Sequence, residues 1–350
     1  MHMADALLSP AVGASFWAGT IAAIGYASKK LKQNIDDKMV PLMGVLGAFI
    51  FAAQLINFTI PGTGSSGHIG GGMILAVLLG PHAAFLVMAS VLLVQALFFA
   101  DGGLLALGCN IWNLGLYPCY IAYPLLYRPL AGDGRDPKRN LAAALVAAVA
   151  GLQMGAFSVV LETLLSGKTE LPFGAFALLM LTIHLAIGVA EGLVTAGVIT
   201  YVRSARPELL ENAALSGPPR QSVSIRKVLA ILALLAVITS GGLSWFASTH
   251  PDGLEWAIEK VTGGRGVEGS GQGVAGALRK AQERTAVLPD YQFKQETREG
   301  DRGTDGPPPQ SAAGAGTSVA GIVGAAIVLL VSLAVGFTVR ILRGRGKHAQ

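Results

Sequence analysis

Apolar runs recur along this 350-residue chain at lengths that suit a lipid bilayer, and they leave it few possible folds. They cover about residues 10–28, 39–58, 69–79, 81–99, 104–126, 140–164, 173–202, 228–247 and 317–339. Hydrocarbon offers no water to backbone N–H and C=O groups, so such runs cross it as helices whose hydrogen bonds close internally. Only 13% of residues are charged, against roughly 25% in a soluble domain, and the mean hydropathy is +0.55. The 46 glycines suit helices that pack closely in lipid. Cys109 and Cys119 share one apolar run. A helix there separates them by about 15 Å along its axis, which excludes a disulfide between them.

Charge placement predicts the topology. Lys29, Lys30, Lys32 and Lys38, then Arg128, Arg135, Lys138 and Arg139, then Arg203, Arg206, Arg220, Arg226 and Lys227 fall on alternate loops. The loops between them carry Lys168 as their one cation. The rule therefore puts the N-terminus outside and the C-terminal Arg340, Arg343, Arg345 and Lys347 inside, in a multi-pass inner-membrane protein. Such clusters are not a nucleic-acid-binding face. Gly80-Pro81 breaks the apolar stretch 70–100 into a short helix and a full one, because proline lacks the amide a helix interior needs. The expected architecture is an all-α membrane protein. A seven-helix bundle over 1–203 leads through a cytoplasmic linker, 204–224, to a two-helix transmembrane hairpin over 225–345. The hairpin's external polar stretch, 248–316, ends in a Gly/Pro/charge-rich tract from Glu299 to Gly316 that reads as a disordered linker.

The chain starts Met1-His2-Met3, without the basic region and cleavage site of a signal peptide, so this start is expected to be kept. The bulk of His2 also disfavours removal of Met1. An α-amine, the adjoining amide and an imidazole can chelate one metal ion through small fused rings that favour coplanar donors. A second imidazole, His68, lies in the loop Pro61-Gly62-Thr63-Gly64-Ser65-Ser66-Gly67-His68-Ile69-Gly70-Gly71-Gly72, on the same predicted side of the membrane. Its nitrogen completes a square plane, a geometry that suits Ni(II) or Cu(II) better than Zn(II). Methionine-rich tracts that suit soft copper are absent.

Other polar groups within the apolar runs are functional candidates. Gln95, Asn110 and Asn113 are placed to orient ligating histidines, and Asp101 either caps the fifth helix or serves the metal. His184 and Glu191 share a helix face, which suits interhelical hydrogen bonding or a network that steadies the bundle near the site. Glu162 is expected to be solvated at a helix end, His82 structural, His250 a lone outer histidine and His348 a tail residue.

Met-His-Met at the start, Gly62-Thr63-Gly64-Ser65-Ser66-Gly67-His68-Ile69-Gly70-Gly71-Gly72, and Asp101-Gly102-Gly103-Leu104 through Asn110 together resemble the CbiM/NikM family over about residues 1–203. These are substrate-capture components of energy-coupling-factor transporters for cobalt and nickel. Residues 225–345, with Pro251-Asp252-Gly253-Leu254-Glu255, resemble a PDGLE-type domain related to a small accessory subunit. The resemblance implies capture of Ni(II) or Co(II) as substrate by Met1, His2 and His68, with no cofactor. It also implies a transmembrane coupling protein and two ATPase subunits as partners, since the chain lacks a Gly-x-x-x-x-Gly-Lys-[Ser/Thr] loop. An intramembrane metalloenzyme is the alternative of another class, but it needs a base and ligands in the spans, as in His-Glu-x-x-His, which is absent. A non-transporting membrane scaffold is a third reading, and an external metal site argues against it.

Overall fold

A computed structural model of the chain describes residues 2–36, 38–134, 136–205, 225–264, 267, 273–293 and 310–347. Met1, most of the linker (206–224), residues 299–309 of the Gly/Pro-rich tract and His348 lie outside the described residues.

The protein is mostly helical. Helix α1 (Pro10–Asn34) starts on Ser9, whose side chain accepts from Val12 N, with Pro10 where its missing amide costs nothing. Next come α2 (Met39–Gln54), α3 (Gly72–Leu79) and α4 (Pro81–Phe99); α3 and α4 meet at the Gly80-Pro81 break. A short α5 (Leu107–Ile111) runs on as a π-helical stretch, Trp112–Tyr127, and finishes as α6 (Arg128–Ala131). Pro118 and Pro124 lie inside that stretch and remove two amide donors from its ladder. Two long helices follow, α7 (Pro137–Ser166) and α8 (Phe173–Ala205). Among the described residues, the helices long and apolar enough to cross a membrane cover Pro81–Phe99, Pro137–Ser166, Phe173–Ser204 and Gly316–Arg343. Helix α1, diluted by Gly, Ser and Tyr, and the segmented 107–131 column fall outside that set, as do the shorter apolar helices Met39–Gln54 and Leu229–Gly241. Leu165, Leu178, Leu234 and Leu330 lie exposed on α7, α8, α9 (Ile225–Gly241) and α12 (Gln310–Lys347), as a lipid-facing surface requires.

Helices α9 and α12 pack into the bundle along α2. A Cβ at Gly44 would come 2.8 Å from Leu333, one at Gly47 2.8 Å from the Ser332 hydroxyl, and one at Gly321 2.6 Å from Ser240 Cβ. The seam therefore relies on small residues that let helix backbones approach, the interaction available where lipid is as apolar as leucine.

Three features depart from the sequence reading. The polar stretch after residue 248 folds into α10 (Gly253–Thr262), α11 (Gly273–Thr285) and a 3-10 turn, Pro289–Tyr291. Helix α12 begins at Gln310, within the tract expected to be disordered. The glycine loop forms a small antiparallel hairpin, β1 (Phe58–Ile60) with β2 (Ser65–Gly67), in the register Phe58↔Gly67 and Ile60↔Ser65.

The two ends of the bundle differ in charge. At one end Arg139 Nε donates to Leu130 O at 3.1 Å, the Arg203 guanidinium lies against Gly134, and Arg343 donates to Ile35 O. The N-terminal segment, the β1–β2 hairpin, the loop after α4 and α10 gather at the other.

Candidate metal centre

The N-terminal segment is held as firmly as a core strand. Met3 is fully buried, its N–H donates to Asn110 Oδ1 at 2.8 Å, and its carbonyl accepts from Gly103 N at 2.9 Å and Asn110 Nδ2 at 3.4 Å. Two residues on, Asp5 Oδ1 accepts from Ala106 N at 3.0 Å. The turn Asp101-Gly102-Gly103 makes this close approach possible. Gly102 has φ +78°, and a Cβ there would stand 2.7 Å from Asn110 Nδ2; a Cβ at Gly103 would collide with the Asp5 carboxylate.

His2 and His68 meet. Their rings stack with centroids 5.3 Å apart and planes 24° from parallel. His68 Nδ1 lies 2.9 Å from Ile69 O, and a proton donated there leaves the Nε2 lone pair available. His2 Nδ1 is 3.3 Å from Asp101 Oδ1, and its Nε2 is buried without a hydrogen-bond partner. Burial pulls His2 down to about 3 and His68 to about 4, so both rings are neutral at pH 7, the form a metal needs. Met1 lies outside the described residues. Among the described residues, no group of three His, Cys, Asp or Glu side chains could hold a metal ion.

The segment that follows His68 is clamped by charge. Glu191 Oε2 accepts from Gly70 N at 2.8 Å and its Oε1 from Gly71 N at 3.2 Å. Gln54 Nε2 donates to Gly70 O at 2.8 Å, and Gln95 Nε2 donates to Gln54 Oε1 at 2.8 Å. Gln95 and Asn110 thus lie in the network around the histidines. Asn113 does not: it donates to Glu162 Oε2 at 3.0 Å. Glu162 is buried rather than solvated, with Ser158 donating to its other oxygen. His184 Nδ1–H donates to Met180 O on its own helix, and its ring lines the same small pocket as His68, Gly70 and Asp252, while Glu191 bonds the loop directly. Asp101 does not cap α5; Asp5 accepts from the N–H of Ala106, the residue before that helix, and Asp101 lies between His2 and the hydroxyl of Tyr291, which donates to it. His82 pairs with Tyr120.

Sequence reasoning missed the contribution of residues after 225. Ser66 N and Oγ donate to Pro251 O and His250 O, both at 2.8 Å, and Trp256 Nε1 donates to Thr63 O at 3.0 Å. Asp252 caps α10 by accepting from Leu254 N and Glu255 N. Burial pushes its carboxyl up, but nearby positive charge and the Glu255 N–H outweigh this and hold it below the usual carboxylate range. Tyr291 stacks on Phe99 at 5.0 Å, and both it and Asp290 adopt left-handed backbone angles, φ +59° and +50°. Gln282 Nε2 donates to Ala96 O and Gly102 O. No pattern in the sequence links positions so far apart.

A helical membrane-type bundle with paired histidines against its N-terminal segment defines a class, and comparison with known proteins defines the family. The model of the cobalt uptake substrate-specific transmembrane region, CbiM, matches residues 2–209, and that of the PDGLE domain matches residues 226–341. The chain belongs to the CbiM family and carries a PDGLE domain after it. A protein of Archaeoglobus fulgidus, provisionally named fused nickel transport protein NikMN, is 34% identical over 95% of this chain and 97% of its own length. The fused nickel transport protein NikMN of Rhodobacter capsulatus is 30% identical over 83% of this chain and 88% of its own. A transition metal transporter of known crystal structure superposes with a TM-score of 0.52 at 28% identity, covering 58% of this chain and 92% of that one.

Proposed function

We propose that the chain is the metal-capturing component of an ATP-driven energy-coupling-factor importer for Ni(II) or Co(II). The ion is substrate. Its donors are the Met1 α-amine, the His2 amide and imidazole, and His68. The observation that carries this reading is the stacking of His2 on His68 within 5.3 Å, on an N-terminal segment pinned by Asn110 and Gly103. Four nitrogens in a plane favour nickel, and the fused relatives that extend along most of this chain are named for nickel. Chelation by the amide and imidazole of one residue closes its small ring through Nδ1, the nitrogen now facing Asp101, so metal and carboxylate compete for it.

The end that carries the histidines faces outside and the arginine-rich end faces the cytoplasm, following the loop charges. Seven helices over 1–203 form the capture unit, and residues 225–345 form the hairpin that assists it. A transmembrane coupling protein and two ATPase subunits supply the energy for release inward. Calorimetry on purified protein tests the ligand set: His68→Ala should weaken nickel binding at least 100-fold, while His82→Ala, at the Tyr120 contact, should leave it within about threefold. Equal losses in both variants would mean that His68 acts through folding rather than coordination.

A further inference from the structure

Beside the paired histidines lies a cavity of about 830 Å³, far larger than one ion needs. Asp5 and Asp101 line it from the first region, and Asp252, Glu255 and Asp290 from the second. Two cations among the described residues, Lys168 and Arg279, share its wall, and Arg279 pairs with Glu283 at 3.0 Å. His2, whose side chain is 6% exposed, lines it too, and its Nε2 is buried without a hydrogen-bond partner. The cavity thus joins five carboxylates to one of the two stacked imidazoles. Burial raises Glu255 and Asp290, and the neighbouring carboxylates Asp252 and Asp101 raise them further. Like charges that face one space are relieved by a cation placed between them.

We propose that this cavity is an encounter site for a hydrated divalent cation, built jointly by the two regions, from which the ion passes to the histidines. The proposal rests on the capture reading above and adds the route of arrival. Carboxylates are hard oxygen donors that attract Mg(II) and Ca(II) as readily as Ni(II). The encounter site therefore accelerates capture without selecting, and selection falls to the nitrogen donors. Five carboxylates face two cations among the described lining residues; a cleft walled by one sign alone raises association rates by roughly 10- to 1000-fold, so this mixed wall acts at the low end of that range, and salt screens it.

The test is stopped-flow nickel association with the full-length protein, read by competition with a coloured chelator. The variant is Glu255→Gln with Asp290→Asn, two partly solvated carboxylates of the cavity wall; asparagine tolerates the left-handed backbone at 290. At low salt the association rate should fall about three- to tenfold, cobalt should slow by the same factor, and the difference should fade by about 0.5 M salt. The dissociation rate should stay within about twofold of wild type. An association rate equal to wild type at low salt, or a loss confined to the dissociation rate, overturns the encounter site while the capture reading stands. Failure of the wild-type protein to bind nickel overturns the capture reading instead.

Discussion

The histidine end of the bundle and the seam between α2 and α12 are built on opposite principles. At the seam, Gly44 and Gly47 meet Leu333 and Ser332 by shape alone, and little there depends on a particular hydrogen bond. At the histidine end, shape is secondary. Asn110 holds Met3 N and O, Asp5 holds Ala106 N, Glu191 holds Gly70 N and Gly71 N, and Gln54 holds Gly70 O. Packing suffices to hold helices together, whereas presenting two imidazoles and a chain terminus to one ion requires polar groups that set position within fractions of an ångström. Substitutions at the two places should therefore fail differently.

The sharpest break in that contrast is at Gly103. Replacement by valine drives a side chain into the Asp5 carboxylate and displaces the N-terminal segment. Nickel affinity measured by calorimetry should drop about 100-fold or more, while the detergent-solubilised protein keeps its helical circular dichroism. Glu191→Gln comes next. It keeps the shape but halves the charge-assisted bonding to Gly70 and Gly71, and loss of such an orienting partner costs about 10- to 100-fold in metal affinity. Tyr291→Phe removes one hydrogen bond to Asp101, one step further from the ion, and should cost only about two- to fivefold.

Gly47→Leu works at the seam and sharpens the comparison from the other side. Overpacking costs about 1–3 kcal/mol, so thermal stability should fall while nickel affinity of the folded protein changes less than about twofold. A seam variant that lost affinity as strongly as Glu191→Gln would erase the distinction. Acid probes the histidine end through stability rather than affinity. Both histidines titrate near 6.5 when unfolded and at about 3 and about 4 when folded. Between pH 6.5 and 4 the unfolded chain binds more protons, so acidification destabilises the fold across that window and stability rises again with pH. Melting temperatures recorded without metal should decline from pH 7 to pH 5. The decline should shrink when His68 is replaced by Asn.

Much of the bundle is legible in the sequence because each helix carries its own signal. Gly80-Pro81 divides α3 from α4 at the expected residue, and α4, α7 and α8 coincide with apolar runs bounded by proline or charge. The approach of His2 to His68 is legible from chelate chemistry and shared topology; their role as ligands is the proposal made above. What the sequence conceals is long-range. Tyr291 reaches Asp101 across 190 positions, and Ser66 reaches His250 across 184. Residues 253–262 and 273–291 look like a polar linker because their helices, α10 and α11, are short and bury only a narrow face: Leu254 and Ala257 are buried and Gly253 packs on Ile183 of α8, while most other positions are polar. Asp101 read either as a helix cap or as a residue serving the metal; the φ +78° turn at Gly102 turns the chain back, so Asp101 faces His2 and Tyr291 while Asp5 accepts from Ala106 N.

The central claim is that the chain's own first nitrogen is a ligand, so enzymatic acetylation of the Met1 α-amine tests it most directly. Acetylation leaves every side chain in place and His2 at position 2, but converts the proposed amine donor into an amide. Nickel binding to the acetylated protein, followed by calorimetry at pH 7.5, should fall at least 100-fold, with the melting temperature of the metal-free protein within about 2 °C of wild type. Nickel affinity equal to that of the unacetylated protein would contradict the account.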